Sequence, residues 1–267
     1  MTSEYPIGPS GCPEWQSDDG SVRLILGDCI QVLPTLSGID CVVTDPPWEL
    51  AKGQIEIRGT GVAPARQASK TLSRGAVGQF DVKVIELLQD ICDGDCLFFA
   101  GYRELADLIK ACRHYRGTFA WHKPNGAPAA FYPAKMDLSF IVWSAKKSVL
   151  YGYQHWPSMV FSFPFPQAGC MAVERYVDST FKAIHPCQGP LRLYEALIHP
   201  MLDGCTVLDC YFGTGTTGVA CIRTGRRFIG IEIEPKYFDI AVQRCKAELE
   251  RFPLFEPKPP RQLELIP

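Results

Sequence analysis

At 267 residues, with 46% apolar and 21% charged residues, the chain is long enough for one globular domain with a substantial core. No apolar run approaches the roughly 20 residues of a membrane span, and the start Met1-Thr2-Ser3-Glu4-Tyr5-Pro6 does not read as a signal peptide. The net charge of −2 argues against a uniformly basic nucleic-acid binder, and twelve cysteines without a Cys-x-x-Cys spacing read as free thiols in a reducing cytoplasm rather than as disulfide or zinc scaffolds.

In chain order, a predicted strand at 22–26 is followed by Gly27-Asp28-Cys29, and a second at 41–45 delivers Asp45, Pro46, Pro47 and Trp48. That tetrapeptide suits an exocyclic amine on a flat base. Asp45 can accept one N–H hydrogen, the Pro46 carbonyl can accept another, and Pro47 stiffens the turn that aims it. Trp48 offers a face on which an extruded base can stack. Taken alone, the same residues also describe a proline-rich turn after a buried strand.

Residues 49–80 sustain no helical or strand period and hold five bases (Lys52, Arg58, Arg66, Lys70, Arg74) against Glu49 and Glu56. A loop of that length is read as a mobile flap that orders on DNA. Residues 1–48 carry one base, Arg23, against seven acids, whereas 103–147 carry eight bases against three acids. The small net charge thus conceals local positive faces of the kind phosphate binding needs. Arg58, Arg66, Lys70, Arg74 and Lys123 are the candidate DNA contacts; Arg103, Lys110 and Arg113 read as an ordinary solvated helix face.

Helices are predicted at 81–92, 102–113, 190–202, 216–224 and 236–250, and further strands at 96–100, 117–122, 139–145, 206–210 and 228–233. This alternation implies a three-layer α/β/α sandwich on a mostly parallel sheet. Residues 123–137 and 151–183 are aromatic- and proline-rich excursions that either pack locally or face DNA. The strand at 206–210 ends in Asp209, and a loop from Tyr211 through Gly213 and Gly215 opens into a helix of small residues starting at Thr216. Glycines let a ligand approach the backbone, and a helix N-terminus presents unpaired N–H groups. Glu232 ends the next strand, at about the spacing where an acid reaches a nucleoside ribose. Gly213 to Gly218 also spells Gly-x-Gly-x-x-Gly, so a nicotinamide dehydrogenase is weighed; too few residues follow for the remaining strands of that fold.

Four segments together resemble the β group of the DNA amino-methyltransferases. Asp45-Pro46-Pro47-Trp48 looks like the catalytic Asp/Asn/Ser-Pro-Pro-aromatic motif. Asp209 to Gly215 looks like the S-adenosylmethionine loop Asp-x-Phe-x-Gly-x-Gly, with Tyr211 at the aromatic position. His185-Pro186-Cys187-Gln188-Gly189-Pro190 is similar to the His-Pro-x-Gln-Lys-Pro segment, with glycine at position 189 where lysine is common. Leu26 to Leu33 is similar to the Gly-Asp-x-x-x-x-Leu stretch, whose acid contacts the adenine of the cofactor. Catalytic motif first and cofactor loop last is the order of the β group.

The resemblance implies one methyltransferase domain over 1–250, a seven-stranded sheet with a reversed edge hairpin from Thr118–Lys123 and Ser139–Ala145, and a proline-rich tail at 251–267. It implies S-adenosylmethionine held by Asp28, Cys29, Asp45, His185, Pro186, Gln188, Asp209, Tyr211, Gly213, Gly215, Thr216 and Glu232, with no metal. The implied reaction is methylation of a flipped adenine at N6 in double-stranded DNA, since an acid at the first motif position is usual there. N4-cytosine methylation and a non-catalytic DNA-binding protein on the same fold are the alternatives. Members of the group often form homodimers. Gln262-Leu263-Glu264-Leu265-Ile266 resembles short peptides that bind bacterial sliding clamps, which makes a clamp a candidate partner.

Overall fold

Hydrophobic side chains alternate on both faces of nearly every central strand, so the sheet must be covered on both sides. The computed structural model describes residues 5–47, 82–125, 137–148, 156, 158–164 and 188–251. Its strands are β1 (Glu14–Gln16), β2 (Val22–Leu26), β3 (Ile39–Thr44), β4 (Cys92–Ala100), β5 (Tyr115–His122), β6 (Leu138–Ala145), β7 (Val160–Ser162), β8 (Thr206–Asp209) and β9 (Arg227–Glu232). They form one sheet in the order β1-β2-β9-β8-β3-β4-β6-β5-β7. Pairing is parallel except where β1 meets β2 and where β6 lies between β4 and β5.

The helices are α1 (Cys29–Val32), α2 (Val82–Ile91), α3 (Leu105–Ala111), α4 (Leu191–Ile198), α5 (Thr216–Thr224) and α6 (Pro235–Arg251). One layer packs α4, α5 and α6 on Leu24, Cys41, Val43, Leu97, Phe99 and Val207. The other packs α1, α2 and α3 on Ile25, Val42, Phe98, Val142 and Leu208. Val42 and Val43 are neighbours in sequence and serve opposite layers, as a period of two requires. Helix ends follow local chemistry. Asp28 caps α1 by accepting from the Ile30 N–H, at 2.9 Å. Gly215 and Gly225 flank α5 in the left-handed region, with φ of 85° and 74°. Pro235 opens α6, where a missing N–H costs nothing.

All seven predicted strands and all five predicted helices are present, with ends moved by a few residues. The reversed hairpin is β5–β6. Two features differ from expectation: β1 and β7 extend the sheet to nine strands, and α1 is an additional short helix. Each spans only three or four residues, too short for a period to register. β7 lies outside β5, so the hairpin is one strand in from the edge. Its Phe161 joins Phe119, Trp143 and Trp156 in an aromatic cluster, with Phe119–Trp156 and Trp143–Trp156 ring centroids 5.0 and 5.1 Å apart. The described part of the aromatic excursions therefore packs locally. Phe131, Tyr132, Tyr151, Tyr153 and Phe165 lie outside the described residues, as do 49–80 and the tail from 252 onward. Among the described residues no helix is long and apolar enough to cross a membrane.

Candidate active site

β3 and β8 are neighbours at the centre of the sheet, paired Cys41↔Val207 and Val42↔Leu208. The chain leaves them in opposite directions, through α2 to β4 on one side and through α5 to β9 on the other. Such a switch opens a crevice at the carboxyl ends of the two strands. There Thr44 Oγ1 donates to Asp209 Oδ1 at 2.7 Å, and Thr217 Oγ1 donates to Asp209 Oδ2 at 2.5 Å. The Tyr211 N–H adds a third bond to Oδ1 at 3.0 Å. Asp45 follows Thr44 directly, half-buried, and the prolines at 46 and 47 cannot continue the ladder.

Two left-handed glycines, Gly213 (φ 54°) and Gly215, turn the loop after β8. The carboxylate of Glu232 pins this loop: its Oε2 accepts from the Gly213 N–H and its Oε1 from the Glu234 N–H, both at 2.9 Å. From α6, Arg244 Nη1 donates to the Thr214 carbonyl at 2.6 Å and reaches the Thr216 hydroxyl at 3.4 Å. The Gly27 N–H donates to the Glu232 carbonyl at 2.9 Å, bringing the end of β2 beside the loop. Cys29 Sγ then donates to the Tyr211 hydroxyl at 3.4 Å. Contact with the Cys210 thiol, followed by the Tyr211 bond, holds the Cys29 thiol below its usual range.

The electrostatics are acidic. Burial pushes Asp209 from the ordinary 3.8 up to about 6, opposed by its bonds from Thr217, Thr44 and the Tyr211 N–H. Burial, with the Asp209 charge adding to it, also raises Glu232. A raised carboxyl binds its proton more tightly when folded, so its contribution to stability is present at low pH and is lost as pH rises through the window from 3.8 to about 6. The unliganded protein should accordingly lose on the order of 2–3 kcal/mol from this group between pH 4 and pH 7. Thermal unfolding across that range should show a flatter pH dependence in Asp209→Asn than in the parent. Equal slopes would mean that Asp209 titrates normally.

Asp28, Cys29, Asp45, Pro46, Asp209, Tyr211, Gly213, Gly215, Thr216 and Glu232 thus gather at one edge of the sheet, with Gln188 buried just before α4. Lys123 lies further along that edge, its Nζ 2.5 Å from Ser139 Oγ and 4.5 Å above the Trp121 ring. Trp48, Arg58, Arg66, Lys70, Arg74, His185 and Pro186 lie outside the described residues. Thr44, Thr217 and Arg244 were not legible as site residues. A threonine closing an apolar strand was the one available signal for the first. No group of three or more His, Cys, Asp or Glu residues that could hold a metal occurs among the described residues.

A model of the DNA methylase family, N6/N4 type, matches residues 39–243. The type II methyltransferase M2.DpnII of Streptococcus pneumoniae is 26% identical over 266 residues, covering 93% of this chain and 98% of that protein. The crystal structure of M1.HpyAVI in complex with SAM superposes with a TM-score of 0.58 at 20% identity, over 84% of this chain and 98% of that one. The PvuII DNA methyltransferase, described as cytosine-N4-specific, gives 0.57 at 15% identity, over 89% and 93%. At such identities these two structures speak for the fold alone.

Proposed function

The chain belongs to the N6/N4 DNA methylase family, and from that premise we propose that it methylates the exocyclic N6 amine of an adenine flipped out of duplex DNA, using S-adenosylmethionine. The observation that carries the reading is the 2.7 Å bond from Thr44 to Asp209. It ties the strand that delivers the base-handling acid to the strand that delivers the cofactor loop. Two reactants bound at those strand ends would meet across one side chain.

The donor set fits this cofactor better than a dinucleotide. Asp209, Glu232 and Asp28 stand at or just beyond the carboxyl ends of three neighbouring strands, β8, β9 and β2. A diphosphate would be repelled there, whereas a sulfonium and an ammonium would be attracted. Glu232 and Asp28 would serve the nucleoside end, and the Gly213–Thr216 loop would line the path between. Bound S-adenosylmethionine supplies an electrophilic methyl group on a positively charged sulfur.

The protein's own task is to prepare the amine. Its lone pair is delocalised into the ring, which makes it a poor nucleophile. Asp45 and the Pro46 carbonyl accept its two hydrogens, orient the nitrogen and favour a localised lone pair. Positive charge grows on that nitrogen during transfer, and the Asp45 carboxylate stabilises it. Holding both reactants in line contributes much of the rest. Trp48 stacks on the flipped base, and Arg58, Arg66, Lys70, Arg74 and Lys123 contact DNA phosphates. Adenine is favoured over cytosine because the first motif residue is the acid Asp45 rather than serine.

Labelled S-adenosylmethionine with unmethylated genomic DNA, digested to nucleosides for mass spectrometry, tests the reading. N6-methyladenine is the expected product. N4-methylcytosine would keep the mechanism and change the base; no transfer with cofactor bound would favour a DNA-binding role. We also propose that two copies pair, visible as a doubled mass in sedimentation, and that residues 261–267 bind a sliding clamp. Clamp retention unaffected by deleting those residues would dispose of the second idea.

A further inference from the structure

Helix α6 presses one face of its middle turns against the glycine loop. A methyl group at Gly215 would lie 2.9 Å from Ala241 Cβ and 3.2 Å from its Cα, and one at Gly218 would lie 3.0 Å from Cys245 Sγ. Ala241, Arg244 and Cys245 are spaced to share that face. Ala241 and Cys245 are buried and supply a wall. Arg244 supplies a donor. Its Nη1 stands 2.6 Å from the Thr214 carbonyl, 3.3 Å from the Thr214 hydroxyl and 3.4 Å from the Thr216 hydroxyl.

One peptide group is thereby held at both of its ends. The Thr214 carbonyl accepts from Arg244, and the Gly215 N–H of the same peptide donates to the Phe212 carbonyl at 2.9 Å. Rotating that peptide would break both bonds, and its plane helps to set the left-handed φ of 85° from which α5 starts. Thr214 and Thr216 are both buried, with their hydroxyls toward α6. Glu232 holds the Gly213 end of the loop, and Arg244 holds the end that enters α5.

We propose, resting on the S-adenosylmethionine reading above, that Arg244 is a positioning residue for the cofactor. It acts through the loop, keeping the Thr214–Gly215 peptide in the orientation that binds, and so sets affinity without touching the ligand. A permanently charged, planar donor suits this task because it fixes the direction of the carbonyl as well as its distance. A ligand that meets a loop already ordered does not have to offset the cost of ordering it.

Arg244→Met keeps an unbranched stem of similar length and removes the donors. In the unliganded variant the Gly215 amide should exchange with solvent at least tenfold faster than in the parent, because its peptide is no longer held at the carbonyl. Calorimetric titration, at a temperature where both proteins are fully folded, should show S-adenosylmethionine and S-adenosylhomocysteine both bound roughly 10- to 100-fold more weakly. Turnover at saturating cofactor should stay within about twofold of the parent, the pattern of a uniform binding effect. Arg244→Lys, which keeps the charge and a donor, should recover part of both the protection and the affinity. A lower Tm with unchanged affinities would overturn the proposal and leave Arg244 a purely structural residue. Weaker binding with unchanged Gly215 exchange would overturn it in favour of a direct contact to the cofactor. A parent protein that binds neither compound would overturn the methyltransferase reading and this proposal with it, whereas a parent that binds both while Arg244→Met binds them equally well would overturn this proposal alone.

Discussion

Replacing Asp45 by alanine is expected to slow methyl transfer by on the order of 10²- to 10³-fold. Cofactor affinity should stay within about threefold, because uniform binding is separable from interactions made only in the transition state. Asp45 is the first residue beyond β3, half-buried, and Pro46 behind it is buried and cannot donate to the sheet. The loop that would hold the cofactor is fixed by other groups: Glu232 on the Gly213 N–H, and Arg244 on the Thr214 carbonyl. Loss of the Asp45 carboxylate therefore leaves that cradle assembled while removing the acceptor proposed to orient the amine and meet its growing charge. Single-turnover transfer from labelled cofactor, set beside equilibrium titration, separates the two. Strong residual transfer in Asp45→Ala would remove this residue from the mechanism. Loss of binding would move it into the cofactor site proper.

The second large effect comes from a residue with no side chain. Gly230 lies in β9 between Leu24 of β2 and Asp209 of β8. A methyl group there would stand 2.5 Å from Phe212 Cδ1 and 2.8 Å from Phe228 Cε1. Neither ring has room to withdraw. Phe212 meets Phe228 edge-on at 6.2 Å and Phe238 at 6.3 Å, and all three are buried. Overpacking of this kind costs about 1–3 kcal/mol, a fall of several degrees in Tm at roughly 2–4 °C per kcal/mol for a domain of this size. Phe212 also precedes Gly213, so the strain passes directly into the loop proposed to hold the cofactor, and affinity for S-adenosylmethionine should fall with stability. Phe212→Leu in the Gly230→Ala background should restore part of both. An unshifted Tm in Gly230→Ala would show that the rings relax at no cost.

Much of the fold could be read from local pattern. Strands of β-branched and apolar residues ending in an acid gave β3, β8 and β9 together with Asp45, Asp209 and Glu232. The glycine loop marked the start of α5. What escaped was what pattern does not encode. β1 and β7 are too short to show a period. The bond between Thr44 and Asp209 joins residues 165 positions apart, and no window of sequence contains both. Glu232 looked like a ribose ligand, yet each of its oxygens also accepts from a backbone N–H of the loops around it. A single acid can hold a loop and face a ligand, and the spacing of motifs does not reveal the first task.

The seam between β3 and β8 has a consequence for how the protein is made. A chain emerging from the ribosome presents β3 and its partner β4 early, while β8 follows only after most of the chain has been synthesised. Until then one edge of Cys41-Val42-Val43 has no native partner, and an open apolar strand edge is a template for pairing with other chains. Closing so long a loop is also entropically slow. Rapid overexpression should therefore favour insoluble chains, and slower translation or a chaperone that shields the edge should raise the soluble yield.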